Sequence, residues 1–280
     1  MDRKEEVRKL ARLTPDEVRK KAGDRLTVTP DLEALHRLCA ERIFNRMKAA
    51  REKAGECALI LPVGPTGQYR ILTRMVNEAR LDLKHCWFFF MDEYVGDDGR
   101  AVSEDHPLSF KGEARRLLLD PLEEGLRPAP DRVIFPDQDN IGEIPRMIDG
   151  AGGIDACYGG VGIHGHVAFN EPEDGVAEMS CRKVRLNDYT VTINSIRSHV
   201  GGNLESFPRH AFTVGMREIL SADKIMLFVR NGIDLDWANM VLRVGLLGRP
   251  GEDYPVTYVR QTDYHFVTDE ETLQSPRNVV

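Results

Sequence analysis

The sequence lacks most of what would mark a secreted, membrane-bound or nucleic-acid-binding chain. Its five cysteines, Cys39, Cys57, Cys86, Cys157 and Cys181, form no CxxC pair. Most sit in apolar stretches, where cysteine behaves as a small hydrophobe, so a reducing, cytoplasmic setting is expected. No run approaches the roughly 18 apolar residues of a membrane span, and Met1 to Lys9 is charged, which argues against a secretory leader. Positive charge is not in excess: 38 Lys and Arg face 45 Asp and Glu, for a net charge of −7. A phosphate-backbone binder concentrates basic residues on one face, so neither a nucleic acid nor a membrane is an expected partner. Internal repeats and low-complexity runs are also missing, which excludes solenoid and disordered readings.

What is present is a globular pattern: 280 residues, 41% hydrophobic, enough for one large core. Residues 1–25 read as a short helical extension with a start at Thr14-Pro15-Asp16-Glu17, and residues 26–280 as one domain. From Pro30 onward, Leu32, Leu35, Cys39, Ile43 and Met47 recur at helical spacing, as do Tyr69, Leu72, Val76 and Ala79, then Trp237, Met240, Val241 and Val244. Between them lie apolar runs too short for buried helices: Cys57 to Leu61, His85 to Met91, Val133 to Phe135, Ile154 to Tyr158, Phe212 to Val214 and Ile225 to Val229. These read as buried strands. The alternation predicts an α/β fold, a doubly wound, mainly parallel, Rossmann-like sheet with helices on both faces.

In such a sheet ligands bind beyond the carboxyl ends of the strands. Three polar or glycine-rich segments are predicted there. The first, Pro62-Val63-Gly64-Pro65-Thr66-Gly67, offers Gly64, Thr66 and Gly67 to an anionic group at a helix start. It lacks the Lys-Ser/Thr ending of a P-loop, which disfavours a nucleotide. The second, Asp92-Glu93-Tyr94, follows an apolar run, surroundings that raise a carboxylate toward the range of a general base. The third, Gly160 to Pro172, brings Gly162, Gly165, His164, His166 and Glu171 within a dozen residues. Imidazole accepts and returns protons near neutrality, and a nearby carboxylate can fix its tautomer. The same His-x-His with Asp92, Glu93 or Glu171 is also a conceivable ligand set for zinc, but acid–base chemistry without metal or organic cofactor is the expectation. His36, His85, His106, His199, His210 and His265 show no comparable spacing.

At these residues the chain resembles the glucosamine-6-phosphate deaminases. The likeness is carried by Met91-Asp92-Glu93-Tyr94-Val95-Gly96, by Gly162-x-x-Gly165-His166-Val167-Ala168-Phe169-Asn170-Glu171-Pro172, by Thr213-Val214-Gly215-Met216, and by Asp105-His106-Pro107-x-Ser109-Phe110. It runs from about Leu26 to about Leu247. Related phosphogluconolactonases share the glycine–histidine loop without the Phe-Asn-Glu-Pro ending. The resemblance implies an aldose–ketose isomerisation with loss of ammonia from an amino sugar or its phosphate, and a homo-oligomer. Asp92 would shuttle a proton between C1 and C2, and His166, held by Glu171, would assist ring opening. The alternatives are an isomerase or hydrolase of another sugar, with or without phosphate, and a non-catalytic sugar sensor of the same fold.

The sequence departs from the family at three places. His164 stands where the family has Asp or Asn. Val191 stands where a phosphate-holding Arg is usual, and no Lys follows Lys224, although a second anchor is normally a Lys after the strand ending at Val229. Pro65 also removes a donor from the first loop. Arg230, in a loop running on to Asp234, with Arg197 and Lys111, are the basic residues available instead, and the expectation is a less positive distal pocket that accepts glucosamine 6-phosphate poorly.

Overall fold

A computed structural model describes residues 2–230 and 237–280. The loop reading over Asn231–Asp234 lies outside the described residues. Seven strands form the main sheet: β1 (Leu26–Thr29), β2 (Cys57–Leu61), β3 (Cys86–Phe90), β5 (Val133–Ile134), β6 (Ala156–Gly160), β9 (Ile225–Phe228) and β10 (Tyr264–Asp269). Their order is β1-β10-β9-β6-β2-β3-β5, and every pairing is parallel. The remaining three, β4 (Asp92–Val95), β7 (Arg182–Arg185) and β8 (His210–Thr213), make a separate antiparallel sheet in the order β4-β8-β7.

The period-two alternation of the central strands explains the two-faced core. Leu59, Leu61, Phe88 and Phe90 project to one side and pack with Leu35, Cys39, Ile43 and Met47 of α3 (Leu32–Glu52) and with Tyr69 and Leu72 of α4 (Gly67–Ala79). Ala58, Ile60, Phe89 and Met91 project to the other, against Val241, Leu242 and Leu246 of α9 (Ala238–Leu247). Each fully buried aliphatic side chain of this kind contributes about 1.5–3 kcal/mol. A third apolar cluster, Tyr94, Phe169, Leu186, Val191, Phe207 and Ala211, lies under the small sheet.

The N-terminal segment is fastened to this core. α1 (Arg3–Ala11) is followed by α2 (Pro15–Ala22), which starts with the capping box that Thr14 and Glu17 suggested. Val18 and Ala22 join the main core, and the buried Arg243 of α9 donates to the carbonyls of Leu13 at 3.1 Å, Leu273 at 2.9 Å and Gln274 at 3.0 Å.

Three expectations change. Asp92-Glu93-Tyr94 is strand β4 and not a loop, because the chain leaves the main sheet at Met91 and pairs at once with β8. Phe212 and Thr213 fall in that antiparallel sheet instead of the parallel one, and Val214 lies just beyond it. The run beginning at Ile154 forms its strand two residues later, so Gly159 and Gly160 belong to β6. Strands β1, β7 and β10 carried no clear sequence signal; β7, Arg-Lys-Val-Arg, has only one apolar residue and alternates between half-buried and exposed.

Candidate active site

Strands β9, β6, β2 and β3 are neighbours and parallel, so their carboxyl ends lie side by side. Each delivers one wall of a single cavity of about 350 Å³. β2 leads to Gly64 and Thr66, β3 to Asp92, β6 to Gly162 and His166, and β9 to Arg230. A further side is α7 (Asp188–Arg197), which presents Asn194 and Arg197 one turn apart.

Asp92 is buried, lines this cavity, and has no hydrogen-bond donor among the described residues. Burial, with the neighbouring Glu93 carboxylate adding to it, pushes its pKa up to about 8. Glu93 sits differently. Its carboxylate accepts from the backbone N–H of Tyr94 (2.9 Å), Phe110 (3.1 Å) and Lys111 (2.8 Å) and from the Ser109 hydroxyl (3.0 Å), and it does not line the cavity. It ties β4 to the start of α5 (Phe110–Ala114), so the two adjacent acids divide into one free carboxylate and one anchor.

His166 and His164 face one another with Nδ1 atoms 3.3 Å apart. On its far side His164 Nε2 meets the Asn187 side-chain amide nitrogen at 2.6 Å and the Thr190 hydroxyl at 3.3 Å. Burial lowers both imidazole pKa values, that of His166 strongly, with His164 beside it lowering it further. The expected His166–Glu171 hydrogen bond is not formed. Glu171 instead accepts the backbone N–H of Asn187 through Oε2 at 2.7 Å, while its buried Oε1 has no partner within hydrogen-bond distance among the described residues.

Glycine has a defined use at two positions here. A Cβ on Gly162 would lie 1.8 Å from His166 Nε2, so the imidazole rests directly on backbone. Gly165 has φ +76° and turns the chain away from the cavity, so its part is the loop's shape. The Phe169-Asn170-Glu171-Pro172 segment is locked to the end of β8. The Phe169 N–H donates to the Thr213 hydroxyl at 3.0 Å, and the Asn170 amide donates to the carbonyl of Val214 at 2.8 Å. These contacts join two of the segments that the sequence singled out separately.

The first loop is arranged as expected in part. Thr66 begins α4 without using its hydroxyl as a cap, and it lines the cavity with Gly64. Gly67 lies outside, where a Cβ would be 2.2 Å from the His36 ring. His36 thus buttresses the loop, a role its isolated position in sequence did not signal.

Two arginines do stand at the cavity. Val191 is only 1% exposed and belongs to the apolar cluster under the small sheet, so its position does not face the cavity. Six residues later on the same helix, Arg197 does, stacked over Trp237 at 5.0 Å. Arg230 lines the cavity too. Burial lowers the pKa of both, and Arg230 lowers that of Arg197 further. Among the described residues neither has a carboxylate within ion-pair distance. Lys111 is directed elsewhere, 3.7 Å from Glu104. Asn187, Thr190 and Asn194 were not read from sequence; the one available signal was Asn187 as the N-cap of α7, accepting from Thr190 N at 2.9 Å.

His164, His166 and Glu171 also offer three ligand atoms within 4.8 Å of one another, a set of the kind that holds zinc. The surroundings oppose it. The Asn187 amide N–H points at His164 Nε2 and thereby leaves the His164 proton on Nδ1, the atom an ion between the two rings would need.

No protein-family model matches the chain. Among curated proteins, it is 33% identical over 217 residues to a glucosamine-6-phosphate deaminase of Porphyromonas gingivalis, covering 73% of this chain and 77% of that one. A Caenorhabditis elegans protein of the same name is 27% identical over 207 residues, covering 73% and 75%. Among solved structures, a monomeric glucosamine-6-phosphate deaminase superposes with a TM-score of 0.75 at 24% identity, over 89% of this chain and 98% of that one. A 6-phosphogluconolactonase of Thermotoga maritima gives 0.61 at 17%, over 87% and 98%. With a buried carboxylate, an imidazole and two guanidiniums around one cavity, and with a relative one-third identical over most of both chains, this protein belongs to the glucosamine-6-phosphate deaminase family.

Proposed function

We propose that the chain isomerises and deaminates an amino sugar 6-phosphate, with Asp92 as the base. The observation that carries this reading is the placement of Asp92: a buried carboxylate with no donor among the described residues, raised to about 8, lining the same cavity as His166 and two arginines that have no carboxylate within ion-pair distance among the described residues. The sugar's phosphate occupies the Arg197 and Arg230 end, where charge-assisted bonds contribute about 1.5–3 kcal/mol each. Its reacting carbons then lie toward Asp92 and His166.

The proton balance follows. Asp92 takes the C2 proton of the open-chain aldose; the C–H pair forms C1=C2 and the carbonyl pair moves to O1. Asp92 returns the proton to C1 as the amine lone pair forms C2=N. A proton passes from that nitrogen to O1, and water hydrolyses the imine to a ketose and ammonia. Apart from the one water consumed in hydrolysing the imine, every step uses side chains of this chain and the substrate's own atoms.

The expected poor use of the phosphate ester is revised by Arg197, so glucosamine 6-phosphate should exceed glucosamine in kcat/KM by roughly 100-fold or more, the worth of two charge-assisted contacts. Ammonia release measured with both sugars tests this. Comparable efficiencies would remove the phosphate from the reading.

A further inference from the structure

His164 separates this chain from the pattern it otherwise follows, and its hydrogen bonds fix which nitrogen of His166 carries the proton. The side-chain oxygen of Asn187 is committed to capping α7, accepting from Thr190 N at 2.9 Å, so the group facing His164 Nε2 at 2.6 Å is its NH2. An amide NH2 only donates, so His164 Nε2 must accept, which places the proton of a neutral His164 on Nδ1. That Nδ1–H faces His166 Nδ1 at 3.3 Å and donates to it. A neutral His166 that accepts at Nδ1 carries its own proton on Nε2, and Nε2 is the atom resting on Gly162 at the cavity wall. Burial keeps both rings neutral, in line with their lowered pKa values. An aspartate at position 164 would do the reverse, because a carboxylate only accepts: His166 would then hold its proton on Nδ1 and present a bare Nε2 lone pair to the cavity.

We propose that His164 is a positioning residue that inverts the relay, making His166 a hydrogen-bond donor to the substrate instead of a base. The inference rests on the deaminase-like reading for its consequence, but the proton placement stands apart from any substrate. In that consequence, Nε2–H holds O1 of the open-chain sugar while Asp92 removes the C2 proton and negative charge moves onto O1; the His166 proton stays on nitrogen throughout. A nitrogen already protonated cannot take the O1 hydroxyl proton of the closed ring, so His166 gives no base catalysis of ring opening. The substrate class is therefore a sugar phosphate delivered with a free carbonyl.

The test is nitrogen-15 NMR of the full chain with labelled histidine, alone and without substrate. The expected result is His166 protonated at Nε2 and bare at Nδ1, inverting to Nδ1–H in His164→Asp. Asn187→Asp supplies a second route: aspartate keeps the helix cap but can only accept, so it turns His164 over and inverts His166 from the other end. A bare Nε2 on His166 in the unmodified protein, or a proton pattern unchanged by both substitutions, overturns the proposal. Kinetics add an independent reading. For glucosamine 6-phosphate against its 5-deoxy analogue, which cannot close the six-membered ring, His164→Asp should shift the kcat/KM ratio toward the closed ring by about tenfold or more. A shift toward the analogue also contradicts the proposal. Failure of both compounds to react leaves the NMR result decisive for His164 while sinking the sugar reading.

Discussion

Two neighbouring acids show how environment divides chemistry between side chains of the same type. Glu93 accepts four hydrogen bonds and is spent on holding α5, whereas Asp92, one residue earlier, accepts none among the described residues and lines the cavity. The acidic pair was legible in the sequence; its division was not, because it depends on Ser109 to Lys111 folding back onto β4. The raised pKa sets two expectations. In the proposed mechanism Asp92 acts as the carboxylate, so kcat/KM for the free enzyme should rise about tenfold per pH unit below roughly 8 and level above it. A flat profile between about pH 6 and 9 would remove Asp92 from the base role. For stability the sign is opposite: the folded state holds this proton more tightly than the unfolded chain, whose value is near 3.8. The associated stability is complete below about 4 and is lost as pH climbs through about 8. Asp92→Asn should therefore gain Tm over the parent, with the gain larger at about pH 9 than at about pH 5. A gain that shrinks with rising pH in a calorimetric scan would contradict the burial argument.

At the level of elements, helix α7 explains why the sequence pointed to a pocket without cations. Val191 occupies the family's arginine position, yet it faces the small-sheet core beside Tyr94, Phe169 and Phe207. The cavity face of the helix is set by Asn194 and Arg197, and only the three-dimensional phase of α7 reveals it. The central strands of the main sheet were readable because both faces are buried and their apolar runs are continuous; β1 and β10 at its edge carried no such run, and β7 and β4 were hidden because charged or acidic residues dominate them. A paired substitution separates the two faces of α7. Val191→Arg buries an unpaired charge and should lower Tm by about 10 °C without improving phosphate use. Arg197→Met should leave Tm within a few degrees but raise KM for glucosamine 6-phosphate by roughly 10–100-fold. Improved phosphate use in the Val191 variant would mean that α7 faces the cavity differently.

For the molecule as a whole, the parallel sheet brings the carboxyl ends of β9, β6, β2 and β3 together, and the antiparallel sheet then holds Asp92 and the Phe169–Pro172 segment against them. The alternating helix and strand pattern made the first half of that statement readable. The second depended on a sheet whose strands are about 90 and 30 residues apart in sequence and carry no shared pattern. No helix among the described residues is long and apolar enough to cross a membrane. The resemblance implied a homo-oligomer. Yet the exposed large hydrophobic residues among those described are only Leu32, Tyr189, Ile196 and Val280, fewer than a permanent interface normally buries. Light scattering should therefore return the single-chain mass of 31.6 kDa, and a stable multiple of it would restore the oligomer. The proposed role of Asp92, moving a substrate proton in an amino sugar phosphate, is decided by measuring ammonia released from glucosamine 6-phosphate by the unmodified protein and by Asp92→Asn at equal concentration. The expected result is steady release by the first and a loss of at least about 1,000-fold in the second, whose fold is retained; release by both within about threefold, or by neither, would rule that role out.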